Sequence, residues 1–189
     1  MKEFLIDTRE SLIQDTINIR KYINFMTNEP LAYYDSVLSQ IDRKQIDAQY
    51  IDSHNYQLQN NQGIDINYGI YQSFSSANNL RLIENRKLLS DIISLYSNSF
   101  PVIQLNLKQL YDKRSDGFEK YIVLKTGYNN NLAKLSTIIY QPEVQYLFQM
   151  GDSFIKEINR RSEDVINQTA AVISEIDKEL KERYGYKIK

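Results

Sequence analysis

The chain has no cysteine, no tryptophan, one histidine, three prolines and six glycines among its 189 residues. Without cysteine there are no disulfides, thiolate metal sites or cysteine nucleophiles. One histidine cannot supply the paired Glu-x-x-His motifs of bundle di-metal sites. Gly63, Gly69, Gly117, Gly127, Gly151 and Gly185 stand singly, so there is no glycine-rich phosphate loop. Neither sign of charge dominates: 23 Lys and Arg face 24 Asp and Glu, for a net charge of -1. That balance leaves no electrostatic footprint for nucleic acid or anionic lipid. The longest uncharged run, Ile92 to Leu107, is broken by Ser94, Ser97, Asn98, Ser99 and Pro101 and cannot span a bilayer. Glu3 and Asp7 interrupt the N-terminus before a signal-peptide core forms, so the chain as given reads as soluble.

What is present is helical periodicity. Val144, Phe148, Gly151, Ile155, Ile158, Ser162, Val165, Thr169, Val172, Ile176 and Leu180 recur at steps of three and four, with charged residues on the other faces. This predicts a helix over Pro142 to Tyr184, roughly 60 Å long at about 1.5 Å per residue. Such a rod cannot bury its stripe alone, so other helices must line it. Pro142 and Glu143 suit its first turn, while Lys181, Arg183 and Gly185 suit its end. Gly151 lies in the seam, where it permits a neighbouring helix to come close.

A first helix is expected from Lys2 to Thr27, with Leu5, Thr8, Leu12, Thr16, Ile19, Ile23 and Met26 on its inner face. Ile13 and Ile17 widen that face, and Glu3, Asp7 and Glu10 form a solvated cluster. It should stop at Asn28-Glu29-Pro30, and Pro30 should open a second helix that fades near Lys44. Asp47 to Asn67 reads as a long connection holding a short extra turn, before helical character returns over Ile66 to Ser76. Asn85 is a candidate cap for the next helix. Pro101 brings a kink or a fresh start, and the helix runs to Arg114 either way. Asp116-Gly117 reads as a break, Thr126-Gly127 as an end, Asn129 to Asn131 as a turn and Leu132 to Tyr140 as a short helix. The expected fold is all-α, an elongated helical bundle organised around the C-terminal helix, with residues 1–189 as one domain. The hydrophobic fraction of 42% is ordinary for such a globular chain.

Chemistry is harder to find. His54 lies in a polar loop without an acid cluster and reads as solvent-facing. Asp112 to Gly117 resembles the start of a calcium loop, but Arg114 holds a ligand position and Val123 replaces the closing glutamate. No metal or other cofactor is expected. Asn167-Gln168-Thr169 matches a glycosylation triplet but lies inside the helix seam. The 15 tyrosines are the remaining signal. Tyr50, Tyr56, Tyr68 and Tyr71 gather around the long polar connection and are the candidate partner-binding residues, since tyrosine offers apolar area with a polar tip. The alternative is that they pack at the ends of a bundle.

Two stretches carry a family resemblance. Residues Lys2 to Asp7 with Leu12 to Thr16, and Tyr71-Gln72-Ser73-Phe74-Ser75-Ser76-Ala77-Asn78-Asn79-Leu80-Arg81-Leu82-Ile83-Glu84-Asn85, resemble an uncharacterised Bacteroidetes-type family of single-pass, membrane-anchored helical domains. Ala77 stands where glycine is common in that family. The resemblance implies a bacterial, periplasmic or otherwise extracytoplasmic domain, with the N-terminal anchor trimmed away or an anchorless, soluble cytoplasmic relative. It supplies no catalytic residues. The functional expectation is therefore a non-enzymatic interaction or sensory domain with a protein partner and possible self-association. Alternatives are a small-ligand sensor with the 47–71 region as pocket wall, or an enzyme lacking a compact motif.

Overall fold

A computed structural model describes residues 1–77, 79–126 and 134–187. It is an all-α helical bundle with a long C-terminal helix, and no strand occurs among the described residues. In order, the helices are α1 (Lys2–Met26), α2 (Ala32–Arg43), α3 (Ala48–Ser53), α4 (Gly69–Ser76), α5 (Arg86–Ser94), α6 (Phe100–Phe118), α7 (Leu124–Thr126), α8 (Leu135–Ile138) and α9 (Pro142–Tyr184).

All eleven seam positions of α9 are buried. Gly185 closes the helix at φ +60, with Tyr186 N–H donating to the Leu180 carbonyl at 3.1 Å. This is the left-handed C-terminal arrangement that glycine adopts without a Cβ penalty. Asn85 caps α5, its side chain accepting from Leu88 N–H.

Proline behaves differently from expectation at Pro30. Pro30 does not end the first helix. Residues 27–31 form a π segment and the chain stays helical from 2 to 43, with Met26 and Leu31 both right-handed. Pro101 stands in the first turn of α6, as a fresh start would have it, just after a π segment, Leu95–Ser99. A proline ring clashes with the carbonyl four residues back, and a wider turn moves that carbonyl aside. The expected break at Asp116-Gly117 is also absent, since α6 runs on to Phe118. There Gly117 serves packing: a Cβ on it would stand 2.7 Å from Leu147 Cδ1 of α9. The connection after α2 holds α3 and a 3-10 turn, Asn55–Leu58, and α4 starts at Gly69, later than expected. The expected turn over Asn129 to Asn131 lies outside the described residues, as does the start of the short helix expected at Leu132.

The register of α1 needs correction. Asp15 and Tyr22 are buried where Thr16 and Ile23 were expected, and Ile17 is exposed. The buried stripe steps through Leu5, Thr8, Leu12, Asp15, Ile19, Tyr22 and Met26, a more regular series than one confined to conventional core residues.

The contacts group into two compact units. One comprises Met1–Lys21, Ile64–Gln104 and Arg160–Lys189; its core includes Leu12, Ile19, Leu88, Ile92, Phe100, Val172 and Ile176. The other comprises Tyr22–Gly63 and Leu105–Asn159; its core includes Tyr34, Val37, Leu110, Ile122, Phe148 and Ile155. In this second unit the ring of Tyr34 lies against the Gly151 backbone, where a Cβ would meet its Cζ at 2.7 Å, so Gly151 permits the close approach expected of it.

Candidate functional site

The four candidate tyrosines fall into different units. Tyr50 and Tyr56 belong to the second, on α3 and the 3-10 turn after it. His54 lies between them, its ring 4.5 Å from that of Tyr50 and 6.3 Å from that of Tyr56. His54 is thus half-buried in an aromatic series, with Nδ1 2.9 Å from the Tyr50 carbonyl, and not simply solvent-facing. The series continues inward from Tyr50 to Tyr33 and Phe148. Tyr33 donates to the Ile51 carbonyl at 2.9 Å, and burial pushes its phenol pKa upward. Of the four, Tyr56 is exposed and the others are half-buried.

Tyr68 and Tyr71 belong to the first unit and flank the buried Tyr96. The Tyr71 ring stacks on that of Tyr96 at 4.7 Å, with 5° between their planes, and Tyr68 meets it edge-on at 6.1 Å. Near Tyr68 and Tyr96 lies a buried acid. Asp15, 1% exposed, accepts from Asn67 N–H at 2.9 Å through Oδ1. Among the described residues its Oδ2 has no hydrogen-bond partner, and the Ser11 and Tyr96 hydroxyls face only one another. Burial raises the Asp15 pKa to about 6; the Asn67 N–H opposes that rise and Asp65 adds to it.

The second unit buries a cation that sequence reasoning also missed. Arg114, 2% exposed, donates to the carbonyls of Gln57 at 2.6 Å, Leu58 at 3.1 Å and Asn60 at 3.2 Å, with its guanidinium 5.7 Å from the Tyr34 ring centre. It clamps the long connection to α6. A pocket of about 290 Å³ beside it is walled by Leu58, Gln59 and Asn61, so the 47–71 region does line a cavity. The arginine that would recognise a ligand there is already turned to three backbone carbonyls.

The second unit also contains a more open feature. A groove of about 490 Å³ lies between α9 and the helical run that continues α6 through the π segment Glu119–Val123. Tyr121, Tyr146, Leu147 and Met150 supply its apolar surface, with Lys113, Asp116 and Lys120 around them. Tyr146 is 62% exposed. Leu124 and Tyr140 are also exposed, and Lys125 reaches Gln141 at 2.5 Å and Glu143 at 3.4 Å. The Lys113 ammonium lies 4.7 Å from the Phe154 ring centre and that of Lys120 5.3 Å from Tyr121. Neither lysine is ion-paired among the described residues, whereas Lys87, Lys108, Lys125 and Lys156 all are.

Among the described residues there is no group of three or more His, Cys, Asp or Glu side chains suited to a metal ion. No described helix is long and apolar enough to cross a membrane. Thr169 of the glycosylation triplet is buried and bonded to the Val165 carbonyl, while Asn167 is exposed on the same helix. The chain matches no protein-family model, no curated protein and no solved structure.

Proposed function

We propose that this is a non-enzymatic interaction domain whose second unit binds an acidic amphipathic helix of a protein partner. The observation that carries the reading is the groove between α6 and α9: an exposed aromatic and aliphatic surface flanked by two lysines that have no carboxylate partner among the described residues. Exposed apolar area concentrated in a groove is what a helix-binding surface requires. Lys113 and Lys120 are seven residues apart, about 10 Å along one helix face. A partner carrying carboxylates two turns apart would match them while its apolar stripe covers Tyr146 and Met150. Asp116 lies between the lysines and would repel a third acid. The family resemblance adds an extracytoplasmic location, which cell fractionation of the natural protein would check.

The test is selection of 16-residue peptides on the whole protein from an unbiased library. Enriched peptides should combine apolar residues at helical spacing with Asp or Glu seven apart, and should lose binding to a Tyr146→Ala, Met150→Ala variant. Peptides that bind equally well to that variant would remove the groove from the account. Peptides that need the groove but bind a Lys113→Ala, Lys120→Ala variant undiminished would remove the acidic partner alone.

A further inference from the structure

The first unit contains a segment with little to hold it. Ile64 and Ile66 are buried, but no residue from 67 to 77 is. What ties this stretch down is a short series of contacts. Asp15 accepts from Asn67 N–H, Asn18 donates to the Asp65 carbonyl at 3.0 Å, and Gln104 donates to the Ile64 carbonyl at 3.2 Å. Tyr68 donates to Gln104 at 2.9 Å, Tyr71 stacks on Tyr96, and Phe74 stacks on Phe4 at 3.5 Å. Most of these are half-exposed contacts of modest strength, and segments with few buried apolar contacts open at a fraction of the global unfolding cost. The contact with Asp15 differs because its carboxyl group is buried and one of its two oxygens has no protein partner.

We propose that the Asp15 carboxyl is a proton-operated clasp: neutral, it holds residues 64–77 on α1, and charged, it lets this segment lift and bare the aromatic surface around Tyr96. The groups facing Asp15 explain the direction. Asp65 and Tyr68 on the connection and Tyr96 on the π segment all act on it, and none is a cation. On its own helix Arg9 is paired with Asp177 of α9 at 2.5 Å, and Glu10 and Arg20 are exposed. A charge at position 15 therefore meets burial and a second acid, relieved by one backbone N–H. A neutral carboxyl keeps that bond through its carbonyl oxygen and gains a donor toward the hydroxyls. Lifting the segment returns Asp15 to water and to an ordinary carboxylate pKa. With a closed-state pKa of about 6, closure weakens about tenfold between pH 5 and pH 7.5 by linkage. The surface uncovered would include Tyr96 and the covered faces of Tyr68 and Tyr71, two of the tyrosines read from sequence as a binding surface. This inference is independent of the groove in the second unit.

The experiment is amide hydrogen exchange on the full chain at pH 5 and pH 7.5, corrected for intrinsic exchange. Protection at Asn67 and Gln72 should lie well below that of amides in the middle of α9 at both pH values, and should fall about tenfold at the higher one. In Asp15→Asn the protection should be equal at both pH values. A carbon-detected titration of the wild-type Asp15 carboxyl, with a midpoint near 6, supports the clasp without any substitution. A midpoint below about 4.5 overturns the proposal, as do pH-independent protection in the wild type and persistence of the tenfold change in Asp15→Asn. Protection at Asn67 and Gln72 equal to that in the middle of α9 would show that the segment opens only with global unfolding, and would also overturn the local clasp.

Discussion

Among the described residues each unit buries one charged side chain that reaches for the long polar connection, and the two are satisfied to different degrees. Arg114 has three carbonyl partners and an aromatic face; Asp15 has one N–H, an unpartnered oxygen and a neighbouring acid. A guanidinium cannot shed its proton at any ordinary pH, so burying it is tolerable only with its donors engaged. A carboxyl group can escape the cost of burial by taking up a proton. The first arrangement is a permanent clamp, the second a titratable one. A buried charge by itself says little about function; the number of partners left over says more.

The largest effect should come from breaking the permanent clamp. Arg114→Met keeps much of the apolar stem but leaves three carbonyls without their donor. An unmet buried polar group costs about 1–3 kcal/mol, and the adjoining pocket lets water recover part of that. We expect a loss of about 3–5 kcal/mol in urea unfolding, in the range seen when a buried charged partner is removed. Arg114→Lys should recover a minor part, since an ammonium cannot reproduce the guanidinium's planar fork. A loss below about 1 kcal/mol for Arg114→Met would mean that the connection is held by other contacts.

Asp15→Asn should move stability the opposite way. Its folded pKa, about 6, lies above the ordinary 3.8, so the folded state binds more protons between those values. Stability from this group is therefore full below about pH 3.8, falls as pH rises through 6, and is lowest above it. The asparagine carbonyl can still accept from Asn67 N–H, and its amide can donate toward the Tyr96 or Ser11 hydroxyl. At pH 7.5 the variant should be about 1–2 kcal/mol more stable than the wild type by thermal unfolding, with the difference vanishing near pH 4. A variant less stable at both pH values would show that the carboxylate is better accommodated than its surroundings suggest.

Both buried charges sit in register, so in principle both were legible. Asp15 falls three residues after Leu12 and four before Ile19; Arg114 falls four after Leu110 and four before Phe118. The apolar step alone puts Thr16 and Ile23 where Asp15 and Tyr22 lie, and it leaves Arg114 only as the residue that rules out a calcium loop. The eleven-residue seam of α9 was fully legible because it is long and interrupted only by small residues, Gly151, Ser162 and Thr169. The continuity of the helical run through Pro30 was not, because a π turn that relieves a proline leaves no compositional trace. The groove was equally hidden. Tyr121 and Tyr146 are far apart in sequence, and their exposure depends on how α6 and α9 pack around Gly117.

Two glycines separate packing need from helix propensity in the second unit. Replacing a helical glycine by alanine gains about 1 kcal/mol from the backbone. At Gly151 the new methyl group meets the buried Tyr34 ring, with three of its atoms within 3.0 Å, and a ring wedged against Phe148 has little room to turn. Overpacking typically costs about 1–3 kcal/mol, so Gly151→Ala should lose about 1 kcal/mol net. At Gly117 the clash is with the terminal Cδ1 of Leu147, which a rotamer change can relieve, so Gly117→Ala should stay within about 0.5 kcal/mol. Equal effects on chemical unfolding would show that the Tyr34 ring is freer than its neighbours imply.

The smallest stability effect should come from the residue that matters most to the proposed function. Tyr146 projects from α9 at the groove with 62% of its surface exposed. Side chains so placed contribute little to folding, so Tyr146→Ala should change stability by less than about 0.5 kcal/mol. Yet large aromatic residues at a helix-binding groove are where truncation weakens association by about 2 kcal/mol or more, roughly thirtyfold in Kd. Thermal unfolding of the variant beside its affinity for a groove-selected peptide measures both quantities on one molecule. A residue that holds the fold would lose both together. Stability kept and affinity lost would mark Tyr146 as surface retained for a partner, the reverse of Arg114, whose contacts are all internal.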